Sequence, residues 1–100
     1  MAKFTLEYIN KDAEKEFKQL EGSVRSLVEK AYRKLEYRAD EIGKQLSGHL
    51  SKCKEIKFRR IGIRIIFRIV HGQAQIVQIV AINRREDGKA FEIAKDRLKN

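Results

Sequence analysis

One cysteine, two histidines and no proline or tryptophan occur in these 100 residues. A lone Cys53 cannot build a disulfide framework and offers zinc no thiolate pair, so it reads as a small half-buried residue and not as a nucleophile. His49 and His71 lie far apart in loop-like contexts, Ser-Gly-His and Val-His-Gly, and neither spacing nor neighbours suit a metal. No apolar run approaches the roughly 20 residues that cross a bilayer, and the N-terminal stretch is not signal-like, so a soluble cytoplasmic protein is expected. Internal repeats, linkers and low-complexity segments are absent, and the length suits a single domain over 1–100. Negative charge is scarce in one half in particular. From Ser51 to Asn100 there are 13 Lys and Arg against 5 Asp and Glu, so this half carries a surplus of +8 out of a formal net charge of +9.

The cations of that half recur at strand spacing. Glu55, Lys57 and Arg59 alternate with Ile56 and Phe58, and Arg64 and Arg68 alternate with Ile63, Ile65, Phe67 and Ile69. Successive strand residues point to opposite faces, which sets cations on one side of a sheet and bulky apolar groups on the other. A phosphate-rich partner fits such a face, and a merely solubilising face is the bland alternative.

The element order follows from periodicity and punctuation. Phe4, Leu6 and Tyr8 mark a short first strand. Asn10 or Asp12 can cap a helix carrying Ala13, Phe17 and Leu20 on one side, with Gly22 ending it. Ser23 then starts a second helix whose Val24, Leu27, Val28, Ala31 and Leu35 form one apolar stripe, so the two helices read as a hairpin lying on a sheet. Gly43 to Lys52 reads as a loop. Strands are expected at about Lys54 to Arg59, Ile63 to Val70 and Gln75 to Asn83, with Gly62 at the first turn and a hairpin around His71-Gly72-Gln73. Asp87 can cap a closing helix bearing Ala90, Phe91, Ala94 and Leu98. The expectation is an α+β domain: an N-terminal strand and helical hairpin on a mostly antiparallel four-stranded sheet, with a short C-terminal helix.

RNA cleavage needs neither metal nor cofactor when a 2′-hydroxyl attacks the adjacent phosphorus. It does need a base for that proton, cations for the dianionic phosphorane and an acid for the leaving 5′-oxygen. Arg64 lies on the strand facing Lys57 and Arg59, and Arg85 closes the neighbouring strand, so four cations can converge on one phosphate. Glu55 shares the face of Lys57, and the cations around it favour its ionised form, which suits a proton acceptor. A plain cross-strand ion pair between Glu55 and Lys57 or Arg64 is the competing reading.

These residues carry a resemblance. Lys54-Glu-Ile-Lys-Phe-Arg-Arg-Ile-Gly-Ile-Arg-Ile-Ile-Phe, preceded by Leu46-Ser-Gly-His-Leu, resembles the central motif of the RelE/ParE toxin superfamily, in which a Leu-x-Gly loop leads to a basic strand and then Gly-aromatic-Arg-aliphatic-aliphatic-Tyr. Asn83-Arg-Arg-Glu-Asp-Gly-Lys-Ala-Phe-Glu-Ile-Ala is similar to the segment that ends the last strand in RelE and enters a helix with a functional tyrosine. The resemblance implies the toxin of a bacterial toxin–antitoxin pair, and in the RelE branch an endoribonuclease that cuts mRNA in the ribosomal A site, with contacts to 16S ribosomal RNA, no cofactor and an acidic antitoxin as partner. Carried over by position, Lys57 matches a catalytic lysine, Arg59 a second basic residue of that strand, Arg64 the arginine after the glycine and Arg85 the arginine closing the last strand. Lys54, Arg60 and Arg84 beside them are the expected substrate contacts, together with Phe91. Two departures stand out. Glu55 replaces a lysine that serves as base in RelE, although other members use a glutamate, and Phe91 falls where RelE has its tyrosine. Glu55 or Lys57 is then the base, Arg59, Arg64 and Arg85 hold the phosphorane, and Arg85 or Lys57 is left for the acid. A ParE-like inhibitor of DNA gyrase and a catalytically silent RNA-binding member share the scaffold and stay open at this point.

Overall fold

The computed structural model describes residues 2–72, 74–84 and 88–99. Its elements are β1 (Thr5–Tyr8), α1 (Lys11–Lys18), α2 (Gly22–Arg38), β2 (Lys44–Gln45), a 3-10 turn (Gly48–Leu50), β3 (Cys53–Phe58), β4 (Ile63–His71), β5 (Gln75–Arg84) and α3 (Lys89–Lys99). Asn10 caps α1 through its Oδ1, which accepts the Ala13 N–H at 2.9 Å, and Asp12 and Glu14 in the first turn oppose Lys15 and Lys18 in the last, as the helix dipole favours. The Gln19 N–H closes the last turn of α1 on Lys15, so the helix stops before Gly22, which opens α2 instead of ending α1. The expected cap at Asp87 and the hairpin position Gln73 lie outside the described residues.

The strands pair in the order β1-β5-β4-β3-β2. β1 runs parallel to β5, with Thr5 opposite Ile76, and the other pairs are antiparallel. β1 and β2 are opposite edges, so the α1–α2 hairpin that joins them crosses a whole face of the sheet. There Phe4, Val28, Leu35, Ile65, Phe67, Val77 and Ile79 form the larger core. Of the expected α2 stripe, Val28, Ala31 and Leu35 are buried, whereas Leu27 stays 41% exposed.

The expected architecture holds, with one strand added. β2 is two exposed residues long and shows no alternation, so nothing in the sequence marks it. It is fixed from outside: Gln45 Nε2 donates to the Ser51 and Cys53 carbonyls at 2.5 and 2.9 Å. Gly43 lets this edge close up, since it takes φ 87° and a Cβ there would stand 3.1 Å from the Glu55 carbonyl oxygen and 3.2 Å from the Phe67 ring.

On the other face α3 packs over a smaller core of Leu50, Cys53, Ile66, Val80, Ala81, Ala90 and Ala94. Ile66 shares that face with Arg64 and is fully buried, so the expected sheet face of open cations is instead covered at one end. β5 carries an extra residue there, as the register steps from Ile66–Ala81 to Phe67–Ile79 and leaves Val80 unpaired.

Candidate functional site

Lys57 stands opposite Arg64 across β3 and β4, and Arg64 stands opposite Asn83 across β4 and β5. With Glu55 two positions before Lys57, all four side chains share the face that α3 covers. Arg64 Nε lies 2.8 Å from Glu55 Oε2, and Lys57 Nζ lies 3.4 Å from Glu55 Oε1. Glu55 is 3% exposed and Arg64 8%, whereas the Lys57 side chain keeps 26%. The Phe91 ring of α3 roofs the cluster, with its centre 4.1 Å from Arg64 Cζ, a cation–π contact.

Removing a carboxylate from water costs several kcal/mol, and here that cost is offset by cations on both of its oxygens. Two cations against one anion leave the cluster net positive. Its hydrogen bonding is incomplete, because the Arg64–Glu55 contact is close but poorly aligned. Glu55 Oε2, Arg64 Nε, Arg64 Nη1 and Asn83 Nδ2 are all buried without a hydrogen-bond partner. Such groups cost free energy in a resting fold and are the ones that a ligand can satisfy.

The remaining sequence candidates divide. Lys54 points to the opposite face, where its Nζ donates to the Ala39 carbonyl at 3.2 Å and holds the C-terminal end of α2, so it is separate from the cluster. Arg59 and Arg60 are exposed in the turn that follows β3. Arg84 is exposed at the end of β5 and lines a cleft on the hairpin side with Glu16, Glu21 and Val24. Arg85 lies outside the described residues. Phe91 is half-buried: it packs against the smaller core, as the apolar side of the closing helix predicts, and it covers Arg64. Arg68 sits further along β4 and joins a polar ladder, donating to Gln78 at 2.8 Å, which donates to Glu7 at 2.9 Å. Sequence reasoning passed over Asn83, although a lone amide at the end of an apolar strand, in line with the Gly-x-Arg motif, was a usable signal. Cys53 is fully buried, and burial pushes its thiol above the ordinary range. Among the described residues, no group of three His, Cys, Asp or Glu side chains is placed to hold a metal.

Beside the cluster, a groove of about 610 Å3 runs between α2 and the β3 edge. Leu27, Ile42 and Phe58 give it an apolar lining, and Lys30, Lys34 and Arg59 ring it with positive charge. β2 pairs with β3 only at Glu55 and Lys54, so the edge from Ile56 to Phe58 has no strand partner among the described residues.

No protein-family profile matches this sequence. An Escherichia coli protein described as a RelE-like toxin is 26% identical over 88 residues, which cover 88% of this chain and 90% of that one. The free state of an E. coli RelE toxin mutant superposes with a TM-score of 0.79 at 24% identity, over 98% of this chain and 99% of that one. The same toxin mutant in complex with a peptide of the antitoxin RelB gives 0.66 at 26% identity, over 92% and 94%. A Mycobacterium tuberculosis toxin–antitoxin complex, RelBE2, gives 0.67 at 22%, over 87% and 97%.

Proposed function

We propose that this chain, which carries the RelE-like fold of the RelE/ParE toxin superfamily, is the toxin of a toxin–antitoxin pair and cuts mRNA on the ribosome. The observation that carries this reading is the cluster of Glu55, Lys57 and Arg64 beneath Phe91: one buried carboxylate between two cations, on adjacent rigid strands. Glu55 takes the proton of the 2′-hydroxyl as its oxygen bonds to phosphorus. Lys57 and Arg64 stabilise the two negative charges of the phosphorane, aided by Arg59 from the exposed turn and by Arg85. The bond from phosphorus to the 5′-oxygen then breaks, that oxygen takes a proton from Lys57 or Arg85, and a 2′,3′-cyclic phosphate remains on the upstream fragment. Phe91 supplies an aromatic face for a base without a hydroxyl to donate.

The partner is an acidic antitoxin whose segment is disordered until it binds, lying across the helical hairpin and the sheet edge. The apolar groove with its cationic rim supports that placement, and fold relatives crystallised as toxin–antitoxin complexes support this class of partner. No described helix is long and apolar enough to cross a membrane.

The test is mRNA cleavage on programmed ribosomes, read by mapping the new 5′ ends, with a matched message carrying 2′-deoxyribose at the cut site. Cleavage that needs the ribosome and disappears with the deoxy message is expected. Inhibition of gyrase supercoiling with no cleavage would move the chain to the ParE branch, and phosphate binding with neither activity would make it a silent member.

A further inference from the structure

Five side-chain atoms among the described residues are buried without a hydrogen-bond partner, and four of them belong to three neighbours in one place: Glu55, Arg64 and Asn83. That concentration is not a packing accident spread over the core. Asn83 is the register partner of Arg64, on the opposite side from Lys57. Glu55 is occupied by Arg64 Nε and Lys57, which leaves Arg64 Nη1 and Asn83 Nδ2 as buried donors on register-paired residues, neither with an acceptor. A pair of donors in a net positive, water-poor setting is matched by an anionic oxygen from outside.

We propose that Arg64 Nη1 and Asn83 Nδ2 form a two-donor pocket for one non-bridging oxygen of a phosphodiester, making Asn83 a substrate-contacting residue of this site. The proposal rests on the ribonuclease reading for its substrate and on the buried donors for its geometry. Both donors sit on strands that pair with each other from end to end, so the pocket is held before the ligand arrives. Phe91 lies over Arg64, so entry of the phosphate requires that ring to give way.

The test uses Asn83→Leu, which keeps the branching at Cγ, is bulkier and lacks the donor. If the amide serves only a ligand, its loss relieves an unmet buried group. The variant then melts higher than the parent while its ribosomal cleavage falls, by roughly 10²-fold as for one lost oxyanion donor. A structural asparagine gives the opposite pair: a lower melting point, with activity per folded molecule unchanged. That result overturns the proposal, as does full activity in Asn83→Leu where Arg64→Lys is impaired, which would leave the ribonuclease reading standing. A second arm is independent of catalysis. Inorganic phosphate and a 2′-O-methyl oligonucleotide, titrated into labelled protein, should shift the Asn83 side-chain amide and the Arg64 Nε signals with one common saturation curve. If the parent cleaves nothing but this curve appears, the pocket stands and the ribonuclease reading falls; if Arg64 shifts alone, the Asn83 pocket falls.

Discussion

At the residue scale, Lys57 and Arg64 look alike in the sequence and differ in the fold. Arg64 is nearly sealed against Glu55, so Arg64→Met leaves a buried carboxylate with only the partly exposed Lys57 beside it and should cost about 3–5 kcal/mol of stability on chemical unfolding. Lys57 is a quarter exposed and stands 3.4 Å from the same carboxylate, so Lys57→Met should cost at most about 1 kcal/mol. Both should lose cleavage by about two orders of magnitude, which corresponds to roughly 3 kcal/mol of transition-state stabilisation. Lys57→Met is therefore the cleaner probe, and unchanged ribosomal cleavage by a folded Lys57→Met protein would remove this lysine from the chemistry. Phe91→Ala loses both packing and the contact with Arg64 and should destabilise by about 2–4 kcal/mol, whereas Phe91→Tyr keeps the ring and should retain activity. A Tyr variant as inactive as the Ala variant would show that the ring itself is not what matters. The charges of this site were legible in the sequence because strand alternation places them on one face. Their burial was not, because it depends on where α3, the last helix of the chain, comes to rest.

At the scale of elements, two devices fix the helices, and neither is visible as a local pattern. β1 ends at Tyr8, paired with Ile79, which leaves the last residues of β5 open on that side. Arg97 of α3 and Glu16 of α1 close it: Arg97 binds Glu16 through two contacts of 2.9 and 2.7 Å and donates to the Val80 carbonyl at 2.7 Å, while Glu16 accepts the Ile82 N–H at 3.0 Å. The carbonyl that Arg97 reaches belongs to Val80, the residue left unpaired by the bulge, and these contacts also protect the edge from pairing with another chain. Both side chains are less than one-fifth exposed, so Arg97→Ala should cost about 2–4 kcal/mol and speed amide exchange in α3 before the rest of the fold. Exchange that accelerates uniformly would mean that the clasp does not specifically hold α3. The second device is the Tyr8, Phe17 and Tyr32 cluster, which joins β1, α1 and α2 at ring separations of 5.2–6.4 Å. Burial pushes the Tyr32 phenol far above its ordinary 10.0, and its hydroxyl has no well-placed hydrogen-bond partner. The folded protein keeps this proton where the unfolded chain releases it, so the stability involved is complete below about pH 10 and is lost as pH rises above it. Tyr32→Phe should be neutral or stabilising at pH 7 and should flatten the alkaline fall in stability; an unaltered alkaline slope would assign that fall to other groups. Helix and strand order were readable from period and turn residues, whereas the parallel placement of β1, the edge strand β2 and the Glu16–Arg97 clasp arise from contacts distant in sequence.

At the scale of the whole molecule, the charge imbalance read from composition is the property that selects partners. The surplus of +8 lies from Ser51 onward, yet the groove rim draws on both halves, with Lys30 and Lys34 from α2 and Arg59 from the turn after β3. Folding thus extends the positive field onto the hairpin, beside the reactive cluster and continuous with it through Lys57, which lines the groove and also touches Glu55. On the ribonuclease reading, an acidic segment laid in this groove would neutralise the field that steers RNA and would cover Lys57 directly, so one binding event would remove both steering and chemistry. Leu27 offers a way to separate partner binding from catalysis. It is 41% exposed and lines the groove from α2, not from the strands that carry the charged cluster, so Leu27→Glu should leave the fold and ribosomal cleavage as they are. In the groove, the new carboxylate would meet an acidic apolar segment with both like charge and lost contact area, and binding of the antitoxin should weaken at least roughly tenfold, about 1.4 kcal/mol. Raising salt from roughly 0.05 to 0.5 M should weaken the parent complex by slowing association, since the Debye length contracts by about a factor of three. Titration calorimetry across that salt range, with growth arrest scored in cells that express both proteins, tests the two expectations together. Leu27→Glu should arrest growth even when antitoxin is present, and a variant that the antitoxin still silences and binds at full strength would place the antitoxin on another surface.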